Sequence, residues 1–272
     1  AITTPSSSHF DLALNAIQSN KHVWVEKPFT LTTSEAKILI KEAKLRNLII
    51  NVDHTYIYTA AVRKIKDIID EGVIGDIIYI DAIRINLGLF QHDVNVLWDL
   101  APHDISIIQY IHGKTPVSVS ATGNSYYNYN GKGLAEIAYL TIKFEDSSFA
   151  HVNVNWLSPV KIRQLIVAGT KKMLIFDDML TVEKIKIYDS GISLKSREDV
   201  YNTLVQYRTG DMYSPVVKNT EALNTECEHF FECIINNKDT DTDGNSGLFT
   251  VRILEAADES IRYGGIPVKL KN

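Results

Sequence analysis

Lys27 is the first side chain in the sequence whose position suggests chemistry. It follows residues 22–26, a short apolar run that predicts a buried strand of a parallel sheet. Because ligands of open α/β sheets bind at the carboxyl ends of the strands, we expect the ammonium group to point into a crevice. Pro28 can hold an unusual backbone geometry, such as a cis peptide bond, that fixes the direction of the lysine. A surface Glu-Lys pair that merely ends a strand is the alternative interpretation.

Asp99 and His103 form a second candidate pair. They are four residues apart, so on a helical turn both side chains lie on one face and can hydrogen-bond or contact one ligand. Histidine titrates near neutral pH and can take a proton from a substrate hydroxyl, and a neighbouring carboxylate could orient its ring. With Lys27, the pair supplies the amine, imidazole and carboxylate that oxidation of an alcohol needs. Since no third ligand is evident, the sequence predicts no metal site.

Two simpler interpretations stay open. Pro102 is typical of the first turn of a helix, and Asp99 or Asp104 could cap that helix, which would make His103 incidental. Residues 3–9, rich in Thr and Ser, precede a predicted helix, whose bare amides can approach an anionic or ribose group. The same residues are equally typical of a capped helix entry without a ligand.

The elements that must position these groups fall into two parts. In residues 1–56, helix and strand patterns alternate. A first helix ends near Ser19, a capping box of Thr32 and Glu35 opens another, and residues 48–52 form the next strand. Strict alternation implies βαβ units, a parallel sheet and right-handed crossovers.

Residues 57–272 show a different pattern. Apolar and polar residues alternate, as in 150–156, which predicts an antiparallel sheet with one packed and one open face. The predicted fold class is therefore α/β: a partial, N-terminally truncated Rossmann parallel sheet in 1–56, followed by an α+β domain with a large, mostly antiparallel open sheet. The predicted strands are 76–87, 117–123, 134–144, 148–157, 162–168, 172–177 and 182–188, and the predicted helices are 60–71, 221–236 and 247–262.

Composition excludes several classes of protein. The net charge of −5 argues against a partner with a phosphate backbone, so we expect no nucleic-acid binding. No apolar run approaches the ~20 residues that span a bilayer, and the first residues lack the features of a signal peptide, so no membrane association is expected. Cys227 and Cys233 are six residues apart in a helical pattern, which indicates buried core thiols and favours a reducing, cytoplasmic location.

The motifs together resemble one known family. Three segments carry the resemblance, namely Thr4-Pro5 with His9, 25–28 and 98–104. They are similar to the glucose-fructose oxidoreductase / inositol dehydrogenase / rhizopine-catabolism (Gfo/Idh/MocA) family, and the similarity runs to the strand at 266–268. Within that family, 156–163 and 226–230 resemble the branch that acts on nucleotide-linked sugars, such as UDP-N-acetylglucosamine 3-dehydrogenases.

The resemblance implies an NAD- or NADP-dependent dehydrogenase of a sugar or nucleotide sugar that forms a homo-oligomer through its open sheet. It implies catalytic roles for Lys27, His103 and Asp99. Cofactor contacts would fall on Thr4, Pro5, His9, Glu26, Lys27 and His54, and substrate contacts on Arg84, Asn86, Lys161 and Arg163, because paired cations could hold a diphosphate.

One part of the family pattern lies outside this sequence. The family begins with a strand, a GxGxxG turn and a helix, whereas the chain starts inside the Rossmann sheet, so we expect an opening βαβ segment of ~30 or more residues to be missing or lost. Two alternatives to a nucleotide-sugar dehydrogenase stay open. They are a free-sugar or inositol dehydrogenase, and a non-catalytic sugar or dinucleotide sensor on the same fold.

Overall fold

The N-terminal part of the chain builds a small parallel sheet. In a computed structural model, which describes residues 1–88, 90–91, 93–127, 131, 133–193 and 206–270, strand β1 (Val23–Glu26) pairs in parallel with β2 (Ile50–Asp53). Ile2 forms a parallel bridge with Val25. Helices α1 (His9–Gln18) and α2 (Thr33–Leu45) connect these segments.

The predicted capping box at the start of α2 is confirmed. The Thr32 hydroxyl accepts a hydrogen bond from the Glu35 amide, and the Glu35 carboxylate accepts one from the Thr32 amide at 3.0 Å. Two amides that the first helical turn leaves without partners are satisfied in this way.

The rest of the chain is organised around a nine-stranded sheet, with strands in the order β12-β9-β8-β7-β3-β6-β5-β4-β13. Only the neighbours β3 and β6 are parallel within it, which confirms the predicted fold class. Its strands are β3 (Ile77–Leu87), β4 (Pro116–Asn124), β5 (Ile137–Phe144), β6 (Phe149–Asn155), β7 (Leu157–Gly169), β8 (Met173–Asp177), β9 (Ile185–Tyr188), β12 (Met212–Tyr213) and β13 (Val268–Lys269). Strands β10 (Gly191–Ser193) and β11 (Gln206–Arg208) form a separate hairpin, and the helices are α3 (Ala60–Asp70), α4 (Val96–His112), α5 (Ala222–Asn236) and α6 (Gly244–Arg262).

One face of the large sheet packs against helix α4. Ala150, Val152 and Val154 of β6 are fully buried and alternate with more exposed residues, as expected for a sheet covered on one side. Helix α4 begins after Asn95, whose side chain caps it, and Pro102 lies inside it. The simpler interpretation of a helix that starts at Pro102 is therefore wrong.

The opposite face of the large sheet keeps aromatic side chains exposed. Tyr79 stacks on Phe149, and Phe149 and Tyr139 are each 42% exposed. Assembly of a homo-oligomer through this face stays a prediction. Over the described ranges, no helix combines the length and the apolar character that crossing a membrane would require.

The C-terminal helices return to the small parallel sheet. Gly247 of α6 lies against Phe29 and Val52, and a Cβ at this position would come within 2.8 Å of Val52. Only glycine therefore permits this close approach of helix and strand. The predicted boundary between residues 1–56 and 57–272 stays a prediction, and α6 contacts elements on both sides of it.

Helix α5 buries a carboxyl group beneath the end of β2. Glu226 is 0% exposed, and its Oε1 accepts a hydrogen bond from Asn51 Nδ2 at 2.9 Å. Burial, and next the neighbouring carboxylate of Asp53, raise the pKa of Glu226 to about 9. The folded protein therefore holds a proton at neutral pH that the unfolded chain, with an ordinary value of 4.5, releases.

This proton makes stability depend on pH. Because the folded pKa lies above the unfolded one, the contribution of Glu226 is complete below pH 4.5 and is lost as pH rises towards 9. We predict that Glu226→Gln makes the free energy of unfolding less dependent on pH, by up to about 1.4 kcal/mol per pH unit. Urea unfolding at several pH values between 5 and 8 measures it. Glu232→Gln, an exposed neighbour on α5, is the control. Equal pH slopes for Glu226→Gln and the wild type would contradict the prediction.

Candidate active site

Lys27 links the small sheet to helix α4. The Lys27–Pro28 peptide bond is cis, as predicted. Lys27 Nζ donates to the backbone oxygen of Asp99 at 2.6 Å and to Asp99 Oδ1 at 3.3 Å. Two of the three ammonium hydrogens are thus engaged, and one is left for a ligand.

Helix α4 carries a proline next to the site. Pro102 has no amide hydrogen, so it cannot donate to the carbonyl of Trp98 one turn earlier. The carbonyl of the next residue, Asp99, accepts from Lys27.

The carboxylate of Asp99 is held from a second side. Trp156 is 2% exposed and its Nε1 donates to Asp99 Oδ2 at 3.1 Å. A Cβ on Gly88 would collide with this indole ring, so glycine is required for the tryptophan to lie here. Asp99 therefore binds Lys27 and Trp156, and the predicted role of Asp99 in orienting His103 is wrong.

His103 lies one helical turn after Asp99 and makes a different contact. Its Nδ1 is enclosed and has no hydrogen-bond partner among the described residues. Instead, its ring meets the ring of Tyr56 with centroids 5.0 Å apart and an interplanar angle of 61°. The imidazole therefore contacts an aromatic ring, and such a contact has a preferred orientation.

The surroundings keep His103 neutral. Burial lowers the pKa of His103 well below its ordinary value of 6.5, and the positive charges of Arg84 and Lys27 lower it further. Lys27 Nζ bonds Asp99, which lies one helical turn before His103 on α4, so the two predicted groups lie near one another. At neutral pH the imidazole carries no second proton and can act as a base.

His54 is a second enclosed imidazole. It is 1% exposed, follows β2 directly, and neither ring nitrogen has a hydrogen-bond partner among the described residues. Burial lowers the pKa of His54 to about 4, although the nearby carboxylate of Asp53 opposes the change. An imidazole without partners in a buried position indicates a place for a polar ligand.

A cleft of about 540 Å³ opens beside Lys27 at the carboxyl end of β1. Burial, and next Asp53, raise the pKa of Glu26 in its wall to about 7. The cleft is lined by Pro5, Ser6, Ser7, Glu26, Lys27, Pro28, Gln91, Asp93, Val94, Trp98 and Asp99.

Two residues predicted to contact the cofactor make hydrogen bonds within the protein. His9 is 1% exposed, and its Nδ1 and Nε2 lie 2.8 and 2.9 Å from the backbone oxygens of Pro28 and Thr4. Both nitrogens are occupied, and a contact of His9 with the cofactor stays a prediction. His9 ties the segment before α1 to the cis proline. Thr4 bonds Ser8 Oγ at 2.7 Å and does not line the cleft, whereas Pro5 does.

The predicted substrate contacts are only partly available. Arg84 is 4% exposed and donates two hydrogen bonds to Asp104, at 2.8 and 2.9 Å. The buried carboxylate occupies two nitrogens of this guanidinium, and a substrate contact at Arg84 stays a prediction. Arg163 lies directly opposite Arg84 on β7 and is paired with Asp178 at 3.6 Å. Lys161 is exposed and Asn86 is half-buried, and their roles stay predictions.

Sequence reasoning missed Tyr56, Asp104 and Trp156 as parts of the site. Tyr56 follows β2 in a 3-10 turn (Thr55–Tyr58). An aromatic residue four positions after a predicted strand end could have indicated a residue at the sheet edge. Trp156 ends the alternating run of β6, where its partner was not apparent from local sequence.

The fold joins a parallel-sheet unit, which has a cleft beside a lysine, to a sheet domain that supplies a neutral imidazole. This combination is typical of a dinucleotide-dependent oxidoreductase. Residues 1–54 match the oxidoreductase family with an NAD-binding Rossmann fold, and residues 62–175 match the GFO/IDH/MocA C-terminal domain. The chain belongs to this GFO/IDH/MocA family of NAD(P)-dependent oxidoreductases.

Several relatives and solved structures are similar to the chain. The scyllo-inositol 2-dehydrogenase (NAD(+)) of Bacillus subtilis is 27% identical over 278 residues, which cover 99% of this chain and 76% of the relative. The UDP-N-acetylglucosamine 3-dehydrogenase of Acidithiobacillus ferrooxidans is 35% identical over 126 residues, 45% of this chain and 38% of the relative. A levoglucosan dehydrogenase, solved with NADH and levoglucosan, has the same fold, with a TM-score of 0.82 and 19% identity over 100% of this chain and 80% of that one.

The described residues fit the nicotinamide end of the cofactor. The cleft beside Lys27 lies at the carboxyl end of a parallel strand, where dinucleotides bind in Rossmann folds. His54 offers two nitrogens without partners near Lys27. Pro5, Glu26, Lys27 and His54 are therefore the residues that would hold this end of the cofactor.

The enclosure of His54 can be measured directly. We predict that its imidazole stays neutral until the pH falls to about 4, because burial disfavours the charged form. Histidine nitrogen shifts followed by NMR between pH 8 and 4 test this, with His54→Asn used to assign the resonance. The contribution of His54 to stability is complete above pH 6.5 and is lost as pH falls towards 4. A midpoint near 6.5 would show that the ring is solvated.

Proposed function

We propose that the protein oxidises a secondary alcohol of an uncharged sugar or cyclic polyol. When bound, NAD(P)⁺ supplies the hydride acceptor for the alcohol carbon. His103 takes the hydroxyl proton, and Lys27 donates a hydrogen bond to the reacting oxygen. The observation that carries the proposal is that the Lys27 ammonium bonds Asp99, one helical turn before the neutral imidazole of His103 on α4, and keeps one hydrogen without a partner among the described residues.

The two groups divide the chemistry. Asp99 and Trp156 hold the Lys27 ammonium in place, so its positive charge stabilises the negative charge that develops on the oxygen. His103 Nδ1 is enclosed, which leaves Nε2 to receive the proton. A neutral imidazole accepts a proton without first having to lose one.

Substitution of either group tests the mechanism. We predict that His103→Ala and Lys27→Met each lower kcat by about 10²–10⁴-fold in the complete protein, because each removes a group that acts in the transition state. The assay follows reduced nicotinamide at saturating NAD(P)⁺ with a panel of polyols, aldoses and nucleotide sugars. His151→Ala and Lys21→Met, both at exposed positions, are the matched controls. Turnover near that of the wild type in both site variants would refute the mechanism.

The charges around the site favour an uncharged substrate. Asp104 occupies Arg84, and Arg163 shares Asp178 with Lys184. Asp104 accepts from both Nε and Nη2 of Arg84, so this guanidinium is not free to bind a diphosphate as a two-donor fork, and the Asp178 carboxylate beside Arg163 disfavours a second anion. The similarity to a scyllo-inositol dehydrogenase over nearly the whole chain supports the same choice.

A nucleotide-linked sugar is the second candidate, because the local identity to a UDP-N-acetylglucosamine 3-dehydrogenase is higher. We predict that kcat/KM for the best inositol or aldose exceeds that for UDP-N-acetylglucosamine by at least about tenfold, a difference of about 1.4 kcal/mol. Activity confined to nucleotide sugars would reverse the assignment. Binding of a sugar without turnover by any substrate would favour a sensor.

A further inference from the structure

Tyr56 lies at the centre of a cluster of charged and aromatic side chains. The Arg84 guanidinium carbon is 4.4 Å from the centroid of the Tyr56 ring, and that of Arg163 is 5.9 Å away. The ring of His103 meets the same tyrosine at 5.0 Å. The tyrosine therefore contacts two cations and the imidazole at once.

Carboxylates hold both guanidinium groups. Arg84 and Arg163 face each other across neighbouring strands β3 and β7. Asp104, on the same helix as His103, holds Arg84 through two hydrogen bonds, and Asp178 pairs with Arg163. Because cations over an aromatic face attract it, the anchored pair fixes the position of the Tyr56 ring.

The usual means of orienting a histidine base is absent from the described part of the site. A carboxylate or carbonyl normally accepts from the second ring nitrogen, but His103 Nδ1 has no hydrogen-bond partner among the described residues. Asp99, the nearest predicted candidate, is bound to Lys27 and Trp156. The ring contact with Tyr56 remains as a directional contact of the imidazole.

We propose that Tyr56 is the positioning residue of His103, and that its aromatic ring rather than its hydroxyl performs this role. The inference rests on the proposed function of His103 as the base. Misplacement of a reacting group by about 1 Å can lower a rate by 10²-fold. Loss of the ring should therefore lower turnover without weakening cofactor binding.

Three substitutions test the role of the ring. In the complete protein, we expect Tyr56→Phe to keep kcat within about threefold of the wild type and Tyr56→Leu to lower it by about 10–100-fold, with the KM for NAD(P)⁺ unchanged. Tyr110→Leu is the matched control. Tyr110 lies on α4, as His103 does, and its ring centroid is 5.1 Å from the guanidinium carbon of Arg63 rather than beside His103. If Tyr56→Leu does not fold, Tyr56→Met replaces it, because the flexible thioether fills irregular volume.

A second measurement needs neither cofactor nor turnover. NMR titration of the cofactor-free protein, with His103→Ala for assignment, follows the protonation of His103. Removal of the Tyr56 ring admits water, so the pKa of His103 should rise towards its ordinary value in Tyr56→Leu and stay unchanged in Tyr56→Phe and Tyr110→Leu. The charged and titratable groups that act on His103 are the same in all these variants, namely Arg84, Lys27, His54 and Arg163, with Asp99 and Asp104 on its own helix.

The outcomes separate the two proposals. Wild-type kcat and wild-type titration of His103 in Tyr56→Leu would overturn the role of Tyr56. A loss in Tyr56→Phe as large as that in Tyr56→Leu would also overturn it, because the hydroxyl would then be the acting group. If His103→Ala retains turnover, the proposed base is wrong, whereas the titration still reports whether Tyr56 encloses the imidazole.

Discussion

The bond between the Lys27 ammonium and Asp99 joins the two halves of the molecule at the point where chemistry is proposed. The lysine comes from the end of a parallel strand, and the aspartate from the helix that covers the large sheet. Neither element alone defines a site. Because the ammonium bonds both the backbone and the carboxylate of Asp99, its position depends on the path of helix α4 as well as on its side chains. Gly88 contributes at this level, since it leaves room for the indole of Trp156, which holds the Asp99 carboxylate.

Around this bond the protein places charges so that the histidines remain neutral. Arg84 and Asp104 satisfy each other within the interior, which limits the cost of burying either one. The surroundings of His103 act in one direction, because burial and the cations Arg84, Lys27 and Arg163 all lower its pKa. The opposite holds at the end of β2, where burial and neighbouring carboxylates raise the pKa of Glu226. Burial thus favours the neutral form of both groups, which lowers the pKa of the histidine and raises that of the glutamate.

The sequence predicted local structure well, because periodicity and capping depend on neighbouring residues. The capping box at Thr32 and the alternating strand around Ala150 follow from such patterns. The partners of polar side chains were harder to predict. The partner of Asp99 is Trp156, 57 residues away, and that of Arg84 is Asp104 on another element. These pairs depend on strand order in the large sheet, which no local pattern specifies.

Strand β3 pairs with both β6 and β7 and carries Arg84 on its covered face. Side chains along a strand alternate between faces, so an insertion or deletion of a single residue in β3 would turn Arg84 outward. Asp104 would then be left as a lone buried anion, and one cation would be lost from the ring of Tyr56. Length changes should be tolerated far better in the turn at Ser147, between β5 and β6, where the backbone already adopts a left-handed conformation at the surface. Length variation among members of this enzyme group should therefore be confined to turns and be absent from this central strand.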